Sequence, residues 1–376
     1  MTGEPSWMPT RVAGLAPPMR AGGGAAGAPP RARLHLNECP WGPSPRAIAA
    51  AAEAAAGVNR YPSGEGEPLV SLLAARTGVA PRRIVLAAGS DLILHYACMV
   101  ALDPSRSCIF PRPSFPRYRL STAIAGARAV PIEVSPDGAN DVPAMLAAIG
   151  PDTGLVFACT PNGNTGGMLD EAALAALSRG VPETVLLCVD EAYAEFSRAA
   201  GGPDAVAVLV RGRRGPWIVS RTFSKAYALA GARLGYGVCS GEDVVEAIGS
   251  VRPIFEVSAM SVAMAAAALE DEAHLARVIE GTRAGREQLA AGFRALGFAP
   301  WQSVANFVSA DIGRPVEPVL AAMAARGVLA RGFREPAGYD TALRISVGTT
   351  GENALALEAL AAALGTNARM PEETLP

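Results

Sequence analysis

The residues best equipped for chemistry lie in Arg221-Thr222-Phe223-Ser224-Lys225, which follows the apolar run Trp217-Ile218-Val219. Lys225 stands among small and apolar residues, with Arg233 eight positions later. A lysine is costly in apolar surroundings unless its amine is used; burial lowers its pKa and frees the neutral, nucleophilic form. Such an amine forms a Schiff base with a carbonyl. The plainer reading is a loop lysine that snorkels to solvent. A second apolar run, Val185-Leu186-Leu187-Cys188-Val189, ends in Asp190-Glu191-Ala192-Tyr193. One strand end with an acid and a phenol, and another with a lysine, is equipment for holding pyridoxal phosphate, with the amine on its carbonyl carbon and the acid on its pyridine nitrogen.

Other apolar runs position further groups. Ile84-Val85-Leu86-Ala87-Ala88 reads as a buried strand, and Gly89-Ser90-Asp91 then opens an apolar helix over residues 92–102. A glycine turn into a helix N-terminus offers free N–H groups to a phosphate; Ser90 and Asp91 are equally good capping residues. Cys108-Ile109-Phe110-Pro111 leads to Phe115 and Tyr118, and Leu155-Val156-Phe157-Ala158-Cys159 leads to Thr160-Pro161-Asn162-Gly163-Asn164-Thr165-Gly166-Gly167. Strands alternating with helices predict a parallel-rich α/β sheet, with the site at the strands' C-terminal ends.

Bulk properties narrow the class. The chain has 376 residues, half of them hydrophobic, enough for a large core and a second, smaller domain. A net charge of −2 argues against nucleic acid as a partner. The six cysteines form no C-x-x-C pair and the three histidines are far apart, so no metal site is assigned. The longest uncharged apolar stretch, residues 257–269, is too short to span a membrane. Pro17 and Pro18 stand where an export signal needs its apolar segment. A cytoplasmic location is expected.

Ser-Lys-Ala-x-x-Leu-Ala-Gly-x-Arg-x-Gly-Tyr (224–236) with Asp-Glu-Ala-Tyr-x-Glu-Phe (190–196) resembles the fold-type I aminotransferases of class I/II. Within them it is most similar to the histidinol-phosphate branch. Leu34-His35-Leu36-Asn37-Glu38-Cys39-Pro40-Trp41-Gly42-Pro43-Ser44-Pro45, Asn59-Arg60-Tyr61-Pro62, Ser303-Val304-Ala305-Asn306-Phe307 and Leu343-Arg344-Ile345-Ser346-Val347-Gly348-Thr349 match further motifs in the branch's order. The resemblance covers about residues 34–364.

The resemblance implies that pyridoxal 5'-phosphate is held by Lys225. Asp190 would serve its ring nitrogen, Tyr193 its phenolic oxygen, and Gly89, Ser90, Asp91, Ser224 and Arg233 its phosphate. Phe115 would stack on the ring, and Asn37 would line the mouth of the site. Tyr61 would reach the phosphate of the other subunit of a homodimer. Arg344 would take the substrate's α-carboxylate and Arg331 a distal phosphate. The 160–167 loop departs from the family's Asn-Pro-Asn-Asn-Pro-Thr-Gly at Thr160, Gly163 and Asn164. Many relatives direct the inner asparagine to the phenolic oxygen; glycine has no side chain to do so, which leaves Asn162 or Asn164 as the substitute.

The expected architecture is a fold-type I α/β transferase with a large, mostly parallel sheet domain and a smaller α+β C-terminal domain. Residues 1–33 are read as a flexible arm, 34–252 as the large domain, 253–366 as the small domain and 367–376 as a tail. The long helical stretch at 258–296 falls in the small domain. The expected reaction moves an amino group between an amino acid or amino phosphate and a 2-oxo acid. The alternative is decarboxylation or other Cα/Cβ chemistry with the same cofactor, as in threonine-phosphate decarboxylases.

Overall fold

The computed structural model describes residue 15 and residues 29–62, 64, 66–333 and 338–365. The proposed tail, most of the arm and Arg334-Glu335-Pro336 lie outside the described residues.

The strands in chain order are β1 (Ala32–Arg33), β2 (Ile84–Ala87), β3 (Ser107–Arg112), β4 (Arg128–Glu133), β5 (Thr153–Cys159), β6 (Leu186–Asp190), β7 (Trp217–Thr222), β8 (Gly235–Cys239), β9 (Phe307–Asp311), β10 (Val328–Leu329), β11 (Arg331–Gly332) and β12 (Ala342–Ser346). A seven-stranded sheet has the order β2-β8-β7-β6-β5-β3-β4. Its pairings are parallel except for those of β8, which is antiparallel to both β2 and β7. Along each central strand, alternate residues enter two different apolar clusters. Val156, Ala158, Leu187, Val189 and Val219 join one, and Leu155, Phe157, Leu186, Cys188 and Ile218 the other. A sheet buried on both faces needs such unbroken apolar runs.

The C-terminal sheet, β11-β12-β9, is antiparallel and two-faced. Val308, Ala310, Leu343 and Ile345 enter an apolar cluster with Leu289, Phe293, Leu357 and Leu360. The alternate residues Ser309, Arg344 and Ser346 therefore point the other way, and the register sets Arg331 directly opposite Arg344. Residues 328–332 divide between two sheets: β10 pairs with β1, and β11 with β12. Ala32–Arg33, placed in the arm by sequence, is thus tied to the C-terminal part of the chain. The helical stretch 258–296 is two helices, Ala259–Glu270 and Glu272–Ala295, divided at Asp271, whose side chain caps the second. Residues 298–306 contain only an isolated bridge, Pro300 to Ala310.

One buried ion network fixes the two chemically loaded strand ends relative to each other. Arg221 Nε and Nη2 donate to Glu191 Oε2 at 2.8 and 2.6 Å, and Nη2 also to Asp204 at 2.8 Å. Arg221 and Glu191 are both buried. Removing one partner of such a pair strands the other, so Arg221→Leu is expected to cost about 3–5 kcal/mol of stability. Urea unfolding measures it; a loss below about 1 kcal/mol would assign the network no such role.

Candidate active site

The loops after β2, β3, β5, β6 and β7 open at the same end of the large sheet, and β8 begins there because it runs in reverse. Lys225 lies three residues beyond β7. Its Nζ donates to the carbonyls of Leu36 and Asn37, both at 3.1 Å. Desolvation, followed by repulsion from Arg344, brings its pKa down to about 8, with Glu38 opposing. At neutral pH this leaves a far larger share of free amine than an exposed lysine has.

Asp190, the last residue of β6, is buried. Tyr118 Oη donates to its Oδ2 at 2.7 Å and the Ala192 N–H to its Oδ1 at 3.1 Å. Burial pushes its pKa up to about 6 while these two bonds hold it down. Tyr118 is in turn packed on Phe157 at 4.7 Å and meets Phe115 edge-on at 6.1 Å. Tyr193 Oη accepts from Asn37 Nδ2 at 2.8 Å, and desolvation raises its pKa to about 12, so its proton stays available for donation.

Asn37 holds several separate parts of the chain together. Its backbone is left-handed at φ 55°. Its N–H donates to Ser346 Oγ at 2.9 Å, its Oδ1 accepts from the same hydroxyl at 2.8 Å, and its carbonyl accepts from Asn306 Nδ2 at 2.9 Å. Asn306 and Ser346 stand in the sequence motifs, yet nothing local in them signals this contact, because the partners are about 270 and 310 residues away.

At the junction of β2 and β8, Gly89 caps the helix Ser90–Ala101 with φ 98°. Arg233, itself left-handed at φ 52°, lies over it; a Cβ on Gly89 would stand 2.6 Å from Arg233 Nη2. Ser224 lies nearby in chain order and is held by Thr222 through an Oγ–Oγ contact of 3.0 Å. Asp91 is engaged by Arg117 in a forked pair of 2.7 and 2.5 Å. A cavity of about 620 Å³ borders this corner, lined in part by Ala88, Arg233, Glu256 and Met264.

In the 160–167 loop, both ends of the Asn162 side chain serve the loop. Nδ2 donates to Pro113 O at 2.9 Å, and Oδ1 accepts from the Asn164 and Thr165 N–H groups at 2.8 and 3.2 Å. Asn164 Nδ2 donates to Ser114 O at 3.0 Å, and its Oδ1 accepts from Arg344 at 3.1 Å. Phe115 is partly exposed beside this loop, with Gly163 close enough for ordinary contact.

Arg344 is buried, its guanidinium 5.2 Å over the Phe307 ring. Nη1 donates to Gly163 O at 2.8 Å as well as to Asn164, and Nη2 to His35 O at 3.4 Å; Nε has no partner. Among the described residues no carboxylate pairs with it. Tyr61 stands apart, 77% exposed on the surface and stacked on Phe255 at 4.5 Å. No group of His, Cys, Asp and Glu among the described residues is arranged to hold a metal. None of the described helices is long and apolar enough to cross a membrane.

These groups fit pyridoxal phosphate. The glycine cradle with its arginine and helix N-terminus suits the phosphate, a low-pKa amine suits the aldehyde, and a buried carboxylate without a cationic partner suits a protonated ring nitrogen. Fold and site together define a pyridoxal-phosphate-dependent transferase of fold type I.

The comparisons narrow this. Residues 32–360 match the family described as aminotransferase class I and II. Histidinol-phosphate aminotransferase 2 of Methylococcus capsulatus is 39% identical over 333 residues, covering 87% of this chain and 89% of the relative. The histidinol-phosphate aminotransferase of Moorella thermoacetica is 37% identical over 328 residues, covering 87% of this chain and 84% of the relative. Among solved structures, the histidinol-phosphate aminotransferase of Sinorhizobium meliloti, in complex with pyridoxal-5'-phosphate, superposes with a TM-score of 0.86 at 28% identity, over 96% of this chain and 98% of that one. The chain belongs to the class I and II aminotransferases, on the histidinol-phosphate aminotransferase branch. It is a pyridoxal-phosphate-dependent aminotransferase.

The lowered basicity of Lys225 is open to direct measurement. In cofactor-free protein, its rate of trinitrophenylation should rise with pH around a midpoint near 8, the value to which its surroundings bring it. Arg344→Met removes a cation that disfavours charging the amine, so the midpoint should move upward. A wild-type midpoint above 10, or no movement in the variant, would show that the site does not tune this lysine.

Proposed function

We propose that the enzyme is a cytoplasmic homodimer that transfers the amino group of histidinol phosphate, or of a related amino phosphate or amino acid, to a 2-oxo acid. The observation that carries the substrate reading is Arg344. It is a buried guanidinium with no carboxylate partner among the described residues, directly across the strand pair from Arg331. A buried guanidinium without a counter-ion is costly, and a bidentate carboxylate is the ligand that its fork of donors fits.

When bound, pyridoxal phosphate supplies an electron sink for the carbanion formed at the substrate's α-carbon. In this reading Lys225 would anchor the cofactor, and its free amine would take the proton from the substrate's α-carbon as general base and return it as acid. Asp190, ionised and held by Tyr118, keeps the ring nitrogen protonated. Tyr193 donates its proton to the phenolic oxygen. The turn at Gly89, the N–H groups of Ser90 and Asp91, the Ser224 hydroxyl and Arg233 would hold the cofactor's phosphate. Phe115 packs on one face of the ring. Asn37 closes the mouth and fixes Tyr193, Arg344 takes the α-carboxylate of the acid substrates, and Arg331 takes the distal anion.

Kinetics of two variants test the substrate assignments. Arg344→Ala loses a charge-assisted pair of about 2–4 kcal/mol, so kcat/KM for every α-carboxylate substrate should fall by about 30- to 1,000-fold. Arg331→Ala should harm only substrates with a distal phosphate or acid. Release of carbon dioxide without any 2-oxo acid, or an Arg331→Ala enzyme that treats all substrates alike, would overturn this reading.

The dimer reading is supported by exposed apolar side chains at Tyr61, Ile254 (84% exposed) and Phe255, with Tyr61 stacked on Phe255. Mixing Tyr61→Ala subunits with Lys225→Ala subunits should restore part of the activity, since a heterodimer then holds one intact site. A monomer at working concentrations, or no recovery on mixing, would refute the sharing of Tyr61.

A further inference from the structure

The turn that departs from the family's loop is where Arg344 is held. We infer that Asn164, together with the Gly163 carbonyl, orients Arg344 for the substrate's carboxylate, which makes Asn164 a specificity-determining positioning residue. The inference rests on the proposed role of Arg344.

The geometry is specific. A guanidinium carries five N–H donors in a rigid fork. Both protons of Arg344 Nη1 are used by the turn, one on Gly163 O at 2.8 Å and one on Asn164 Oδ1 at 3.1 Å. Docking on the end that carries both Nη groups is thereby blocked. Nε, buried and without a partner, and Nη2, whose one bond is the long 3.4 Å contact to His35 O and which has a second proton, form the edge that remains. Two parallel donors on one edge match the two oxygens of a carboxylate.

The amide of Asn164 has only one workable orientation. Its NH2 end faces Ser114 O at 3.0 Å, so its oxygen must face Arg344. The backbone of the same residue is pinned as well: Ser309 Oγ donates to Asn164 O at 2.7 Å, and Ser309 is the register partner of Arg344 in the sheet. The turn and the arginine are thus fastened to one sheet face. A proline at position 164, as in the family's motif, has neither the amide oxygen nor the amide NH2. Gly163 lets the carbonyl serve where a side chain would stand. The chain thus holds its arginine with a side chain at a position where the family's motif has proline.

The test compares a substrate that has the carboxylate with one that lacks it. 2-Oxoglutarate carries an α-carboxylate; histidinol phosphate carries a hydroxymethyl group there. Single-turnover half-reactions of the holoenzyme give the apparent Kd of each, and calorimetry with maleate, an unreactive dicarboxylate, gives a binding constant independent of turnover. Asn164→Ala should raise the 2-oxoglutarate and maleate Kd values at least tenfold and leave that of histidinol phosphate within twofold. Asn164→Asp keeps the shape but sets a carboxylate against Arg344, so it should weaken both acids further, again sparing histidinol phosphate. Thermal melting of both variants separates folding from positioning. Equal weakening of all three ligands would mean a general loop role, and unchanged acid binding would mean no role; either overturns the inference. Arg344→Ala is the control: if it leaves the acids' binding unchanged, the assignment of Arg344 itself fails, whereas loss there with no effect at Asn164 sinks only the inference drawn here.

Discussion

A guanidinium buried without a counter-ion sets the terms for the rest of the site. Arg344 is surrounded by carbonyl and amide oxygens and by the face of Phe307, which ease its desolvation without neutralising it. Its charge acts on whatever lies nearby. It opposes protonation of Lys225, after desolvation, and it favours the ionised form of Tyr193 against the burial that raises that pKa. A ready amine and an attraction for carboxylates therefore follow from one placement. The cost of keeping the cation falls on the free enzyme; under the proposed role of Arg344 an arriving acid substrate would relieve it, and the charge that strains the site would give it affinity.

Holding that charge in place takes parts of the chain that are remote in sequence. The face of β9 and β12 presents Arg344, Ser309 and Ser346; the 160–167 loop supplies the acceptors; Asn37 ties the N-terminal segment to both Tyr193 and Ser346. β1, by pairing with β10, anchors that N-terminal segment on the C-terminal part of the chain. Behind them the Arg221–Glu191 pair keeps the Asp190 and Lys225 strand ends in register. The candidate site is thus built where two sheets meet, with the N-terminal segment bonded to both sides.

Much of this was legible in the sequence because a sheet covered on both faces writes itself as continuous apolar runs, and the chemical residues sit where those runs stop. The seven-stranded sheet's edge strand β4 escaped, since its half-buried residues, two charges and Pro131 break the run. Residues 298–301 and 303–308 read as strand by composition, but the strand begins only at Phe307, and before it there is just the isolated bridge at Pro300. Asp271 ended a helix that composition continued, because its carboxylate caps the next helix instead. In the site, Lys225, Asp190 and Tyr193 were legible as types at strand ends. Tyr118's bond to Asp190 and the division of labour between Asn162 and Asn164 were not. They depend on which way a buried side chain points, and that is settled by partners tens to hundreds of residues away.

The corner between β2 and β8 shows why a motif's glycines have to be explained one at a time. Ala87 and Gly235 are register partners across the antiparallel β2–β8 pair, so the start of β8 is pressed against the turn that begins the Ser90–Ala101 helix. At Gly89 two demands coincide: φ is 98°, and a side chain would collide with Arg233 Nη2. At Gly235 the backbone is that of an ordinary strand, yet a Cβ would come within 2.2 Å of the Ser90 nitrogen. The second glycine thus serves space alone. It lets a strand edge approach the helix N-terminus closely enough for Arg233, two residues earlier, to lie over Gly89. An alanine at 235 would push β8 away from that helix, and the arginine would leave with it. The corner is made of backbone brought close by the lack of side chains, with the Arg233 guanidinium laid across it.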